Sequence, residues 1–146
     1  MRTKLAIAVA AAVATLALTG ATAPANASVA SPQLTWHPGG CTKAAKGGFT
    51  ASACDNASGF GGIDFNSDAY VTAKPAGCYW LEIDVYDANG NRVMQGDWQK
   101  FCGTGHFTGP TYSGSKTAQP YFSELTIVNG HDSYVWDGPY LGYTWN

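Results

Sequence analysis

The sharpest hydrophobic pattern lies in CYWLEIDVYDANGNRVMQGDW, residues 78–98, where Tyr79, Leu81, Ile83 and Val85 alternate with Trp80, Glu82, Asp84 and Tyr86. A period of two in aromatic and branched residues predicts a half-buried strand. Asn89-Gly90 supplies a turn that tolerates positive φ, so Arg92–Trp98 is expected to return as a second strand. The same logic recurs in YFSELTIV, residues 121–128, followed by Asn129-Gly130 and then by SYVW, residues 133–136. Two hairpins are therefore expected.

Elsewhere the pattern is weaker. Asp68–Ala73 has strand composition and is stopped by Pro75-Ala76-Gly77. Residues 47–62, GGFTASACDNASGFGG, hold many small residues and flanking glycines, which disfavours a helix and suggests a short strand or loop pinned by Cys54. Residues 28–40 predict a flexible entry or an edge strand. Residues 103–120, rich in Gly, Pro and hydroxyls, predict a long surface loop with room for a short strand at His106–Thr108. No stretch of the mature chain supports a long helix. The expected fold is all-β, a small antiparallel β-sandwich or barrel of six to eight strands. Ile, Leu and Val are comparatively few, so aromatic rings must supply much of its core.

The start of the chain follows another pattern. Arg2 and Lys4 precede the uncharged apolar run of residues 5–18, and Ala25 and Ala27 make a small-x-small site before Ser28. Residues 1–27 are expected to be a secretory signal peptide. The run of 14 residues falls short of the roughly 20 that span a bilayer. Residues 28–146 are then expected to form one β-rich, secreted, extracellular domain. Without Arg2 and Lys4, six basic side chains face ten acidic ones, a net charge of −4. No Lys or Arg cluster exists, which argues against nucleic-acid binding and against an anionic membrane surface.

Cys41, Cys54, Cys78 and Cys102 all follow the leader. An even count bound for an oxidising compartment predicts two disulfides. Of three pairings, Cys41–Cys54 and Cys78–Cys102 are favoured because each closes a modest loop. A zinc site would want a close CxxC pair, which is missing.

Signals for chemistry are sparse. No GxSxG elbow accompanies His37, His106 and His131, so a hydrolase is the less favoured reading. Glu82 and Glu124, the two glutamates, alternate with apolar residues and are expected on the solvent face of a sheet rather than as paired acids. Asp64, Asn66 and Asp68 have the spacing that opens a calcium loop, but Ala69 replaces the expected glycine and Pro75 the closing glutamate. No metal or other cofactor is expected.

The closing segment SYVWDGPYLGYTWN concentrates rings: Tyr134, Trp136, Tyr140, Tyr143 and Trp145. Spacings of 4, 3 and 2 from Trp136 to Trp145 do not keep one strand face, and Gly138-Pro139 interrupts the strand. The segment could close the core, touch a protein or cover the apolar face of a sugar ring; core closure is the leading expectation. In composition the mature chain resembles the small disulfide-stapled secreted proteins of filamentous soil bacteria, which include protease inhibitors and components of antibacterial toxin assemblies. Small size, two staples, short hairpins and one Gly/Pro/Ser-rich loop make a rigid frame with adaptable edges, so the leading expectation is a non-enzymatic module that binds another secreted or extracellular protein. An inhibitor would present a loop, with residues 103–118, including His106 and Tyr112, the best candidate. The alternative is a lectin-like module that holds polysaccharide on Trp136, Tyr140, Tyr143 and Trp145.

Overall fold

A computed structural model describes residues 33–58, 63–114 and 120–145. The expected leader, residues 28–32 of the entry segment and residues 115–119 of the expected loop lie outside the described residues, as does the side chain of Trp145. The described chain is all-β, with eleven strands: β1 Leu34–Pro38, β2 Gly40–Lys46, β3 Phe49–Ser58, β4 Ile63–Ala73, β5 Tyr79–Asp87, β6 Arg92–Met94, β7 Gln99–Phe101, β8 Gly105–Gly114, β9 Tyr121–Asn129, β10 Asp132–Asp137 and β11 Leu141–Trp145. That exceeds the six to eight expected, because several strands are short segments sharing one partner.

Two antiparallel sheets form a sandwich that does not close into a barrel. One has the order β2-β3-β4-β8. The other has β9 and β5 at its centre. Along one side of β9 run β10, opposite Glu124–Asn129, and β11, opposite Tyr121, with β1 paired beyond β11. Along the far side of β5 run β6 and β7. Both expected hairpins are present, but the return of the first is split: β6 ends at Met94 and pairing resumes only at Gln99. At its turn, Asp87 Oδ1 accepts the amides of Asn89 and Asn91, and Gly90 takes φ 80°.

The expectation for residues 47–62 is corrected in length. β3 is a ten-residue central strand, hydrogen-bonded on both sides. Its Phe49, Ala51 and Ala53 enter the core, where small side chains let the opposite sheet approach. Propensity alone scores alanine poorly in a strand; pairing on both edges overrides it. The second correction concerns residues 103–120. Gly105–Gly114 is not a loop but a ten-residue edge strand paired with β4. Two residues, Gly109 and Pro110, face Ser67 alone, and Ser67 Oγ donates to Pro110 O at 2.8 Å. Such a bulge at a sheet edge is where proline is tolerated in a strand. The entry segment takes the edge-strand form, as β1.

The main core joins Phe49, Tyr79, Phe101 and Trp136 to Leu81, Ile83, Leu125 and Ile127. A second cluster holds Phe65, Val85, Tyr121 and Leu141. Rings and aliphatics thus share the interior. Both disulfides have the expected pairing, Cys41–Cys54 and Cys78–Cys102. Cys41 and Cys54 are direct cross-strand partners, and the second bridge follows the Tyr79–Phe101 pair. Stable disulfides accord with an extracellular protein.

Candidate functional site

Strand alternation decides which side chains leave the core. On β5, with Leu81, Ile83 and Val85 inward, Trp80, Glu82, Asp84 and Tyr86 project from the outer face. On β9, with Leu125 and Ile127 inward, Phe122, Glu124 and Thr126 do the same. Register then makes rows across the strands. Tyr86 lies opposite Phe122, and Asp84 opposite Glu124, which in turn lies opposite Asp137 of β10.

The ring row continues past β9. Tyr86 stacks on Phe122 at 5.6 Å between centroids, and Phe122 meets Tyr140 edge-on at 5.4 Å. His37 of β1 approaches the far side of Tyr140 at 6.4 Å. Tyr140 is 46% exposed.

The acids divide into two groups. Glu82 and Asp84 are buried under the segment that links β6 to β7. Gln95 donates to Glu82 Oε1 at 2.9 Å, and Arg92 and the Gly96 amide donate to the two oxygens of Asp84 at 3.0 Å each. These two carboxylates therefore fasten the irregular return strand. Glu124 and Asp137 instead line a pocket of about 320 Å³ together with Phe122, Gly138 and Tyr140. Partial burial pushes the Glu124 carboxyl up, and neighbouring Asp137 and Asp84 push it further; the hydroxyls of Thr126 and Tyr86 oppose them. After burial, Glu124 and Asp84, with a smaller push from Glu82, raise the Tyr86 phenol against Arg92. The pocket is thus crowded with negative charge.

The residues singled out from sequence do not converge on one surface. Trp136 is 1% exposed in the main core, where its Nε1 donates to Ala44 O at 3.0 Å. Tyr143 is half-buried against Trp36 at 4.7 Å, and among the described tail rings only Tyr140 lines the pocket. His106 and Tyr112 both lie on β8, in the other sheet. Tyr112 packs on Tyr121 at 5.0 Å, and burial together with the Tyr112 hydroxyl pushes the Tyr121 phenol up to about 12. His106 stacks on Tyr70 at 4.6 Å and meets Asp68 Oδ1 at 3.1 Å on an open sheet face.

The acid spacing that suggested a calcium loop has a different cause. Asp64, Asn66 and Asp68 lie on the extended strand β4, where side chains two apart share a face. Ser113 donates to Asp64 and Thr111 to Asn66, each at 2.8 Å, and His106 takes Asp68, so a polar ladder zips β4 to β8. Among the described residues, no group of three or more His, Cys, Asp or Glu is placed to hold a metal ion. The glutamates also depart from expectation: Glu82 is buried and Glu124 half-buried.

Sequence reasoning missed Tyr86, Phe122, Glu124 and Asp137 as a set. Alternation within YFSELTIV does place Phe122 and Glu124 on one face; what brings Tyr86 and Asp137 beside them is cross-strand register. No family model, curated protein or solved structure matches this chain.

Proposed function

We propose that the protein is a secreted, non-enzymatic binding module that holds a basic partner, an extracellular protein presenting Lys or Arg side chains, at the outer-face pocket. The observation that carries this reading is the placement of Glu124 and Asp137, cross-strand partners, in a pocket walled by Phe122 and Tyr140. A cation entering there meets two carboxylates and ring surfaces at once. It also relieves the repulsion from Asp137 and Asp84 that adds to burial in raising the Glu124 carboxyl. A role within a secreted assembly accords with a site on a sheet face. The projecting loop wanted for a protease inhibitor coincides largely with β8.

A second reading has its own support. Tyr140 and Trp80 are 46% and 48% exposed, and Trp80 projects from the same sheet face, as rings that cover sugars must. The two readings part on charge. Binding of hexalysine and hexaarginine peptides is expected to weaken with rising salt, and Glu124→Gln or Asp137→Asn is expected to weaken it roughly tenfold. Isothermal titration against these peptides and a neutral N-acetylglucosamine hexamer decides the matter. Salt-insensitive binding of the neutral glycan alone would move the assignment to the lectin-like reading.

A further inference from the structure

Behind the pocket, on the core side of the same strands, lies a carboxyl that none of this uses. Asp55 of β3 shares the inward face with Ala51 and Ala53 and is completely buried. Its Oδ2 accepts the Ser123 amide at 3.1 Å, while Asp55 Oδ1 and Ser123 Oγ have no hydrogen-bond partner. Gly138 closes the space above them. A Cβ there would fall 2.2 Å from Asp55 Oδ2 and 2.6 Å from Ser123 Oγ, so only glycine fits. The Gly138 amide donates to Ser123 O at 2.7 Å, and the Gly39 amide donates to Tyr140 O at 3.2 Å. The linker from β10 to β11, which carries Tyr140, is thus pinned directly over the buried acid.

The geometry points to a proton-linked latch, in which neutral Asp55 keeps the Gly138–Tyr140 linker seated and loss of its proton to solvent loosens that linker and the pocket it lines. As a regulatory device for the pocket, this inference rests on the binding role proposed above; the latch itself is tested without any ligand. A charged carboxylate at this site is cut off from water, and Gly138 packs directly against its Oδ2. The Asp55 carboxyl is pushed up to about 7, first by burial. The Ser123 hydroxyl, close by but outside hydrogen-bond geometry, and the Ser123 amide oppose the rise, and Asp68 of β4 adds to it. Glu124 and Asp137 project from the opposite face of β9 and β10. Tyr121 faces the core from β9, and its phenol stays neutral throughout this range. His37 of β1 lies against the Tyr140 ring and needs its own control.

The sign follows from the proton count. The folded protein holds a proton on Asp55 that the unfolded chain releases near the ordinary aspartate value of about 3.9. This group's contribution to stability is fully present below that value, is lost as pH rises towards 7, and is level above it. The test uses the free protein. Carbon-detected NMR should show Asp55 titrating near neutrality, with the Gly138 and Tyr140 amide shifts following the same midpoint. Hydrogen-exchange protection of the Gly39 and Gly138 amides should fall between pH 5 and pH 8. In Asp55→Asn that protection should be flat with pH, and His37→Gln should leave the midpoint in place. If Asp55→Asn does not fold, the wild-type titration still decides. An Asp55 midpoint near 4, or wild-type protection that is flat across this range, overturns the latch. Failure of peptide binding with an intact Asp55 titration would instead count against the binding role alone.

Discussion

Deleting residues 140–146 is expected to lower the melting temperature by roughly 10 °C or more. The deletion removes Leu141, which is fully buried in the second core cluster with Phe65, Val85 and Tyr121. Losing a buried leucine side chain alone costs about 2–5 kcal/mol. It also removes β11, which holds every backbone pairing of β1, from Leu34 opposite Trp145 to Pro38 opposite Leu141. The entry strand would lose its only partner in the sheet among the described residues. Tyr140→Ala makes the contrast. Its ring is exposed, so melting should move little, while peptide binding should weaken. Differential scanning calorimetry of both variants separates the two roles of this segment. Unchanged melting in the deletion would show that the tail is a surface appendage.

The second large effect is expected at Trp136. Among the described residues it is the largest fully buried side chain, and it sits where β10 meets the edge of the other sheet. Two contacts join those edges: Trp136 Nε1 donates to Ala44 O, and Lys46 Nζ donates to Val135 O. Lys46 also rides over the indole ring at 5.6 Å. Trp136→Ala would open a cavity and remove the indole donor, at a cost of about 3–5 kcal/mol. Trp136→Phe keeps most of the packing and should cost roughly 1–2 kcal/mol, mainly through the lost hydrogen bond. Urea unfolding checks both. The midpoint should fall in that order with little change in slope. An unaffected midpoint in Trp136→Ala would remove the tryptophan from the core and return it to the surface.

Where local signals were strong, the sequence carried the fold well. Alternation from Tyr79 to Tyr86 and from Tyr121 to Val128 identified the two central strands, because one face of each must be apolar to meet the opposite sheet. The two Asn-Gly turns identified the hairpins. An even set of cysteines in short sequence loops led to the observed pairing. Strands β2, β3 and β8 were harder to see for a physical reason. Ala, Ser, Thr and Gly have no large apolar period, and these strands gain their stability from pairing with neighbours distant in sequence. The site was harder still. Phe122 and Glu124 are visible as one face of one strand, but Tyr86, Asp137 and Tyr140 join them only through register and through the bend at Gly138-Pro139. From sequence Tyr140 is only a candidate contact residue, and the carboxylates beside it are not candidates at all. Asp55 shows the same limit. In sequence it is one acid in a small-residue stretch, and only the alternation of β3 places it inward beneath Gly138.

The central claim is that the outer-face pocket selects a basic partner. The most direct measurement is a titration of isotope-labelled protein with hexaarginine at low salt, followed through the amide shifts. Saturable shifts are expected at Phe122, Glu124, Asp137, Gly138 and Tyr140, reduced by salt and lost in the Glu124→Gln, Asp137→Asn double variant. Shifts spread evenly over all acidic residues, or a response unchanged in the double variant, would contradict it.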